Sequence, residues 1–521
     1  MRFRILLVAT LAALALWLPF VATHVNGGAL WLAVPFVVAN LILACGLLLG
    51  LVNNWRRTAP EERIVAHGAE PSVAVIVPTA GESPFQVSAT VDSVLRQDWP
   101  ADRLVIVVSD DAHSDDMRAV TLARAGRSAS ACVLYHRPPR PGSPDRPGDG
   151  KSGNLNSAVA LLDDVARGIE FLETRDADDL VGDTSFLRRC VAQLQADKGT
   201  AYVQTIKEAV VSPGDPFDNL QPHFFRGAML ARHAANAVFP CGSGLVWRRA
   251  ALDDIGGFPT WNVVEDLQSG LEALRRGWRG VYVPIVGAMG QHAPEDLGNV
   301  FKQRGTWALD AVRLLLWGDL RGLGLRQRLH FAELGVFYVQ SFATLIFIAC
   351  PIVGLATGRY PLTTSYTDYA VHFIPFAVTI EFYLAALATG TRYERFWRAR
   401  VMWVGLAPIY ARACVLAALG GRDRKPKYRV TRKHHEHRWY WRESLVHSIL
   451  LIVLVTVAVR TVVTGDLLYE VDLGSLYWAT FFALTLGSFV RLSWFGTGPR
   501  ARLQRRRALH ATIEATPETT R

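Results

Sequence analysis

Four short patterns carry the residue types for one kind of chemistry, in chain order Asp110-Asp111, Asp176-Ala177-Asp178, Glu265-Asp266 and Gln303-Arg304-Gly305-Thr306-Trp307. Alternate residues of an extended segment share a face, so Asp-x-Asp at a strand end brings two carboxylates near one point. A hard divalent cation such as Mg²⁺ takes one or two carboxylates together with phosphate oxygens, which suits holding a diphosphate leaving group. Taken singly, each pattern is weak. A solvated strand-to-loop corner also collects Asp. Glu265-Asp266 follows Gly256-Gly257-Phe258-Pro259 and precedes a helical stretch, so capping of a first turn accounts for it. The functional alternative is a general base that takes the proton from a hydroxyl. Lys151-Ser152-Gly153-Asn154-Leu155-Asn156 looks like the end of a phosphate loop, but Asp145 stands where that loop requires Gly, which excludes it.

The elements that must position these residues lie between about 56 and 300. There, short β-branched runs at 73–77, 104–108, 201–205 and 281–283, and a weaker one at 169–174, alternate with amphipathic stretches. The alternation predicts an α/β domain whose largely parallel sheet is covered on both faces and binds ligands outside the carboxyl ends of its strands. Pro78-Thr79, Asp110-Asp111 and Asp176-Ala177-Asp178 fall at such ends. The Pro-, Gly- and Arg-rich stretch 137–150 reads as a mobile surface loop.

Half of the 521 residues are apolar and 20% are charged, so membrane and soluble territory must alternate. The net charge of +10 is carried by Lys and Arg clustered beside apolar segments, which points to a lipid bilayer as partner and away from nucleic acid. The six cysteines include no Cys-x-x-Cys pair, so neither a zinc site nor a disulfide framework is indicated. Residues 5–22 and 30–52 read as two membrane spans. Arg2 and Arg4 before them, and Arg56-Arg57 after them, place both ends of this hairpin in the cytoplasm. Apolar segments return at 329–356, 369–390, 401–419, 444–464 and 475–495. If all five crossed, the basic stretch 422–442 would lie outside, against the positive-inside rule. Laying 401–419 along the membrane surface returns that stretch to the cytoplasm, and Arg412 within it agrees. Six spans are expected, with both termini cytoplasmic.

The order and spacing of the motifs over about 70–440 resemble the processive membrane glycosyltransferases of family 2, the group of cellulose, chitin and hyaluronan synthases. Val77-Pro78-Thr79 with Glu82 is similar to that family's opening strand and nucleotide-contacting turn, and Asp110 and Asp111 to its paired acids at the uridine. Lys151 to Asn156 resembles its Lys-Ala-Gly-Asn-Leu-Asn stretch. Asp176 and Asp178 match its metal motif, and Cys241, Gly242 and Ser243 the segment around the acceptor. Val264-Glu265-Asp266 is similar to Thr-Glu-Asp, whose Asp is the base, so the resemblance reverses the capping reading of Asp266. Gln303 and Trp307 match Gln-x-x-Arg-Trp, but Thr306 stands where an Arg is expected to steady the departing diphosphate. Arg304 or Arg313 could take its place, or the metal and Lys151. Thr431 and Lys433 resemble a gating loop that closes over the nucleotide.

The resemblance implies a GT-A-like α/β cytosolic domain, with a mixed, mostly parallel sheet flanked by helices, inserted between transmembrane helices. The expected organisation is two spans in 1–55, the glycosyltransferase domain in 56–300, interfacial helices in 301–328 and two spans in 329–390. An interfacial helix and gating loop follow in 391–443, then two spans in 444–495 and a basic tail in 496–521. It further implies Mg²⁺ or Mn²⁺, a UDP-sugar donor with glucose favoured, a polysaccharide or lipid-linked acceptor, a plasma-membrane location and an accessory export subunit. Transfer of one sugar to a lipid or polyprenyl carrier, and a catalytically weak export or scaffold role, stand as alternatives.

Overall fold

The computed structural model describes residues 2–127, 130–211, 215–294, 296–387, 394–424, 439–464 and 470–496. Thr431 and Lys433 lie outside the described residues. The soluble part is built on eight strands: β1 (Val73–Thr79), β2 (Leu104–Asp110), β3 (Cys132–His136), β4 (Phe171–Thr174), β5 (Leu180–Val181), β6 (Thr200–Val210), β7 (Leu245–Arg248) and β8 (Arg279–His292). They form one sheet in the order β3-β2-β1-β4-β7-β6-β8-β5. β3, β2, β1 and β4 run parallel, β7 reverses direction between β4 and β6, and β5 runs antiparallel to β8. The sheet is mixed, as the resemblance implies. β3, β5 and β7 escape the sequence reading because they are too short to show a period.

The period of two along β1 explains why the sheet is covered on both faces. Val73, Val75 and Val77 enter one core with Val87 and Val91 of the helix Pro84–Leu95 and with Phe186 and Leu187. Ala74 and Ile76 enter the other with Leu155, Ala158 and Leu162 of the helix Gly150–Val165. Ser83 starts the Pro84–Leu95 helix with a capping box, its hydroxyl accepting from Gln86 N, and Pro84 follows with φ preset for the first turn. Parallel register sets Thr79 beside Asp110, so these two strands end at one level.

Among the described residues, seven helices are long and apolar enough to cross a membrane. Their ends sort onto two sides. On the side of the α/β domain, Asn53 donates to Leu329 O and to Glu333 Oε2, Gln327 donates to Asn236 O, and Tyr440 donates to Asp296. On the far side Asn26 donates to Tyr360 O, Val25 bridges Leu362, and the Tyr360 hydroxyl meets Asp472. Arg2–Thr23, Leu30–Asn53, Leu325–Thr357, Tyr366–Leu387, Leu445–Val463 and Glu470–Phe495 run between these sides. The helix Glu394–Gly420 differs, because both of its ends meet the near side. At its start Phe396 faces the His223 ring at 5.3 Å. Near its end Ala417 O accepts from Trp317, and Arg422 O just beyond accepts from Trp261. Gly405 lets Phe489 lie directly on this helix, where a Cβ would overlap the ring.

Candidate active site

The strand-end turns of the parallel half converge on a cavity of about 1650 Å³, lined among others by Thr79, Glu82, Asp111, Lys151, Asp176, Asp178, Lys207 and Asp266. Glu82 closes the turn after β1 by accepting from Thr79 Oγ1 at 2.8 Å and Ala80 N at 2.6 Å. The paired acids after β2 separate. Asp110 is buried and accepts from Ala112 N, Ser114 N and the Tyr135 hydroxyl, which spends both of its oxygens on the turn. Asp111 faces the cavity and takes a two-pronged bond from Arg146, at 2.7 and 2.9 Å. Arg146 also donates to Pro139 O, Gly148 O and Gly150 O. The stretch 137–150 is therefore laced to the site by one buried Arg, where its composition suggested a mobile loop.

Lys151, at the start of the Gly150–Val165 helix, donates to Asp176 Oδ1 at 2.5 Å and to Gly242 O at 3.0 Å, and lies 3.5 Å from Glu265. Lys207, which the sequence reading passed over, donates to Asp176 Oδ2 at 2.5 Å and lies 3.3 Å from Asp179. Both oxygens of Asp176 are thus held by ammonium groups. Burial alone would raise its pKa, but the charges of Lys151 and Lys207 hold the carboxyl well below its usual range. Burial likewise opposes charge on both lysines, and the facing carboxylates outweigh it, so both stay above the usual lysine value. Arg175, fully buried, positions the turn by donating to Glu173, to Leu180 O and to Gly287 O.

Asp266 sits in the first turn of the helix Glu265–Arg275, whose N-cap Val264 has no side-chain cap. Its Oδ1 accepts from Leu267 N at 2.7 Å. Burial, and next the charge of Glu265, push its pKa up to about 7, against the pull of Lys151. A first-turn cap would be held low. Asp310, on the helix Leu297–Trp317, accepts from Val264 N at 2.6 Å and so ties the Glu265-Asp266 turn to that helix. No periodic or motif signal marks Asp310.

Cys241 and Gly242 line the cavity, whereas Ser243 is buried and accepts from Asp176 N, supporting the acidic turn from behind. Gly242 has φ +81°, and a Cβ on it would sit 3.1 Å from Lys151 Nζ and 3.2 Å from Asp266 Oδ2. Both groups therefore lie over one glycine. Gln303, Arg304, Thr306 and Trp307 also line the cavity. Arg304 donates to Asp218 O at 2.7 Å and covers the Trp307 ring at 5.2 Å. Thr306 turns back onto Lys302 O. Arg313 is buried against Trp261 and donates to Arg424 O, away from the cavity.

Among the described residues no three His, Cys, Asp or Glu side chains cluster as a protein-only metal site requires. Asp178, buried at 8% exposure, faces the cavity beside Asp176. One or two carboxylates of this kind fit a cation that draws its remaining ligands from phosphate and water.

A mixed sheet with acids at its strand ends is a GT-A-like fold. A mannosyltransferase from Pyrobaculum calidifontis, solved with GDP-Man and Mn²⁺, shares it at a TM-score of 0.51 and 21% identity, covering 74% of this chain and 99% of that one. Residues 71–309 match the family model described as glycosyltransferase like family 2, and residues 254–486 match that of cellulose synthase. The chain carries a segment like the family 2 glycosyltransferases followed by a segment of the cellulose synthase type. Cellulose synthase catalytic subunit (UDP-forming) of Pseudomonas fluorescens is 31% identical over 317 residues, 58% of this chain and 39% of that protein. Cellulose synthase 1 catalytic subunit (UDP-forming) of Komagataeibacter xylinus is 28% identical over 376 residues, 70% of this chain and 47% of that protein. The chain spans less than half the length of these relatives.

The Gly242 geometry gives a direct prediction. Gly242→Ala adds left-handed backbone strain and wedges a methyl between Lys151 and Asp266. Displacement of reacting groups on this scale costs about a hundredfold in turnover. Initial rates of nucleoside diphosphate release measure it, with circular dichroism to show that the fold is retained.

Proposed function

We propose that this chain is a membrane-embedded inverting glycosyltransferase that moves a hexose from a UDP-sugar to a growing polysaccharide and passes the product through its helix bundle. The observation that carries this reading is continuity: the cavity that holds Asp178 and Asp266 is also lined by Trp307, Phe337, Trp403, Phe347 and Phe481. A second cavity of about 350 Å³ shares Leu43, Phe347, Ile380, Phe481 and Phe482 with it and reaches Tyr360 and Leu362 on the far side.

In the mechanism, Asp266 takes the proton from the acceptor hydroxyl as that oxygen attacks the anomeric carbon opposite the departing diphosphate. A carboxylate with a pKa of about 7 is a stronger base than an ordinary one, and it is about half ionised at neutral pH and largely ionised above it. The charge of Glu265, which lies 3.5 Å from Lys151, is the second cause of the raised value after burial. Asp178, with help from Asp176, would hold Mg²⁺ or Mn²⁺, which supplies charge stabilisation to the diphosphate when bound. Thr79, Glu82 and Asp111 line the nucleotide end, with Thr431 and Lys433 proposed to close over it. Trp307 offers a flat ring against which the acceptor sugar stacks. The relatives named as UDP-forming support a uridine donor.

Six crossings are proposed, with the α/β domain and both termini cytoplasmic. The two near-side ends of the Glu394–Gly420 helix support laying it along the membrane face, and this keeps the basic stretch after it inside. An accessory export subunit is proposed, and the relatives named as catalytic subunits support it.

Purified protein in detergent, given a panel of UDP-hexoses with Mg²⁺ or Mn²⁺, tests the reading. Nucleoside diphosphate release together with a large, ethanol-insoluble product is expected. A short chloroform-soluble product instead identifies a lipid-carrier transferase, and absence of turnover with every UDP-sugar removes the donor assignment.

A further inference from the structure

A departing diphosphate needs cations, and the helix Leu297–Trp317 does not supply one where the family resemblance places it. Thr306 is uncharged and hydrogen-bonded to Lys302 O. Arg313 is spent on carbonyls outside the cavity. Arg304 reaches the cavity wall, where one N–H of its guanidinium donates to Asp218 O and the group covers the Trp307 face, away from the acidic turn's two lysines. Two ammonium groups remain on the wall nearest the acidic turn, Lys151 and Lys207.

Lys207 is aimed there by the backbone. The ladder between β6 and β8 shifts register between Ile206 and Lys207, and such bulges re-aim side chains. Up to Ile206 the strand is buried on both faces, and at Lys207 its exposure begins. The ammonium, 16% exposed, touches Asp176 at 2.5 Å and Asp179 at 3.3 Å. An ammonium has three donors, so one is left for a third acceptor. Asp176 is held by two lysines, so it keeps Lys151 when Lys207 turns to a phosphate.

We propose that Lys207 is a diphosphate-binding residue, supplying from β6 the positive charge that Thr306 does not supply. The inference rests on the sugar-nucleotide reading of the site given above. A phosphate oxygen entering beside Asp178 meets the remaining N–H of Lys207, and Lys151 keeps Asp176 paired. The leaving group is then steadied from the sheet side of the cavity as well as from the metal.

Isothermal titration of the purified full chain with UDP in excess EDTA isolates this contact from any metal, and uridine serves as the uncharged control. Lys207→Met and Lys207→Gln are expected to weaken UDP binding by about tenfold to a hundredfold, the range for a lost charge-assisted phosphate bond. Uridine binding stays as in the wild type, and Lys207→Arg, which keeps the charge, retains UDP binding. Wild-type UDP affinity in Lys207→Met overturns the proposal, as does an equal loss for uridine, which reports pocket collapse. Full recovery of UDP affinity in Lys207→Met combined with Asp176→Asn also overturns it, because Lys207 would then act only by neutralising Asp176. A wild-type protein that binds no nucleoside diphosphate removes the sugar-nucleotide reading itself, and the proposal falls with it.

Discussion

Asp266→Asn lowers turnover by about 10²- to 10⁴-fold, the usual contribution of a positioned general base, and leaves UDP binding close to wild type. The substitution keeps the shape of the side chain and removes only its basicity. Wild-type kcat/KM should climb with pH through about 7 and level off above it, because the base must be ionised to act. Glu265→Gln moves that midpoint down, since the Glu265 charge is the second cause of the raised value after burial. Stability carries an independent signature. The native pKa of Asp266 lies above its usual 3.8, so the native state binds the proton more tightly than the unfolded chain does. Its contribution is fully present below 3.8 and is lost as pH rises through about 7. Asp266→Asn therefore melts higher than wild type at pH 8, and the gap closes as pH falls toward 4. Thermal unfolding across this window reads the effect, and a wild-type protein that matches the variant at every pH would exclude a raised Asp266.

Asp178→Ala is the second large effect. That carboxylate would hold the divalent cation that neutralises the diphosphate, and turnover without it is expected to fall about a hundredfold or more, roughly 3 kcal/mol of transition-state stabilisation. The sharper readout is binding. In the wild type the affinity for UDP rises as Mn²⁺ is titrated in; in Asp178→Ala it stays flat, near the value in EDTA. Retained Mn²⁺ dependence in the variant would assign the cation to other ligands. Asp176 is the weaker candidate for sole ligand, because Lys151 and Lys207 already hold both of its oxygens.

Residues whose neighbours are close in sequence were the legible ones. Thr79 and Glu82 belong to one turn, Asp176 and Asp178 to another, and the β-branched run of β1 announces the strand that carries the first. Lys207 gave no signal, since a single Lys in Thr-Ile-Lys-Glu-Ala reads as a strand edge facing water, and only the bulge against β8 turns it inward. Arg146 was hidden in a stretch of turn residues, and Asp310 in an amphipathic helix. Ser243 and Asp110 sit within the right motifs but point away from the cavity, because the backbone beside each needs its oxygen. Hydropathy groups the Glu394–Gly420 helix with the six other long apolar helices among the described residues. Where its two ends lie is a question of contacts 100 and 161 residues away, to Trp317 and Trp261.

The chain's order of residues by itself determined two territories, one of long apolar helices and one sheet-forming, and put acids at the ends of specific strands. Those outcomes depend on local periodicity and on chain length against the thickness of a bilayer. Tertiary structure alone decided which acid is held ionised and which has its pKa raised. Asp176 is held ionised by lysines 25 and 31 residues away, while Asp266 is raised by burial and by Glu265 over the shared Gly242. Charge energies follow distance in space and access to water, and neither is written in sequence spacing.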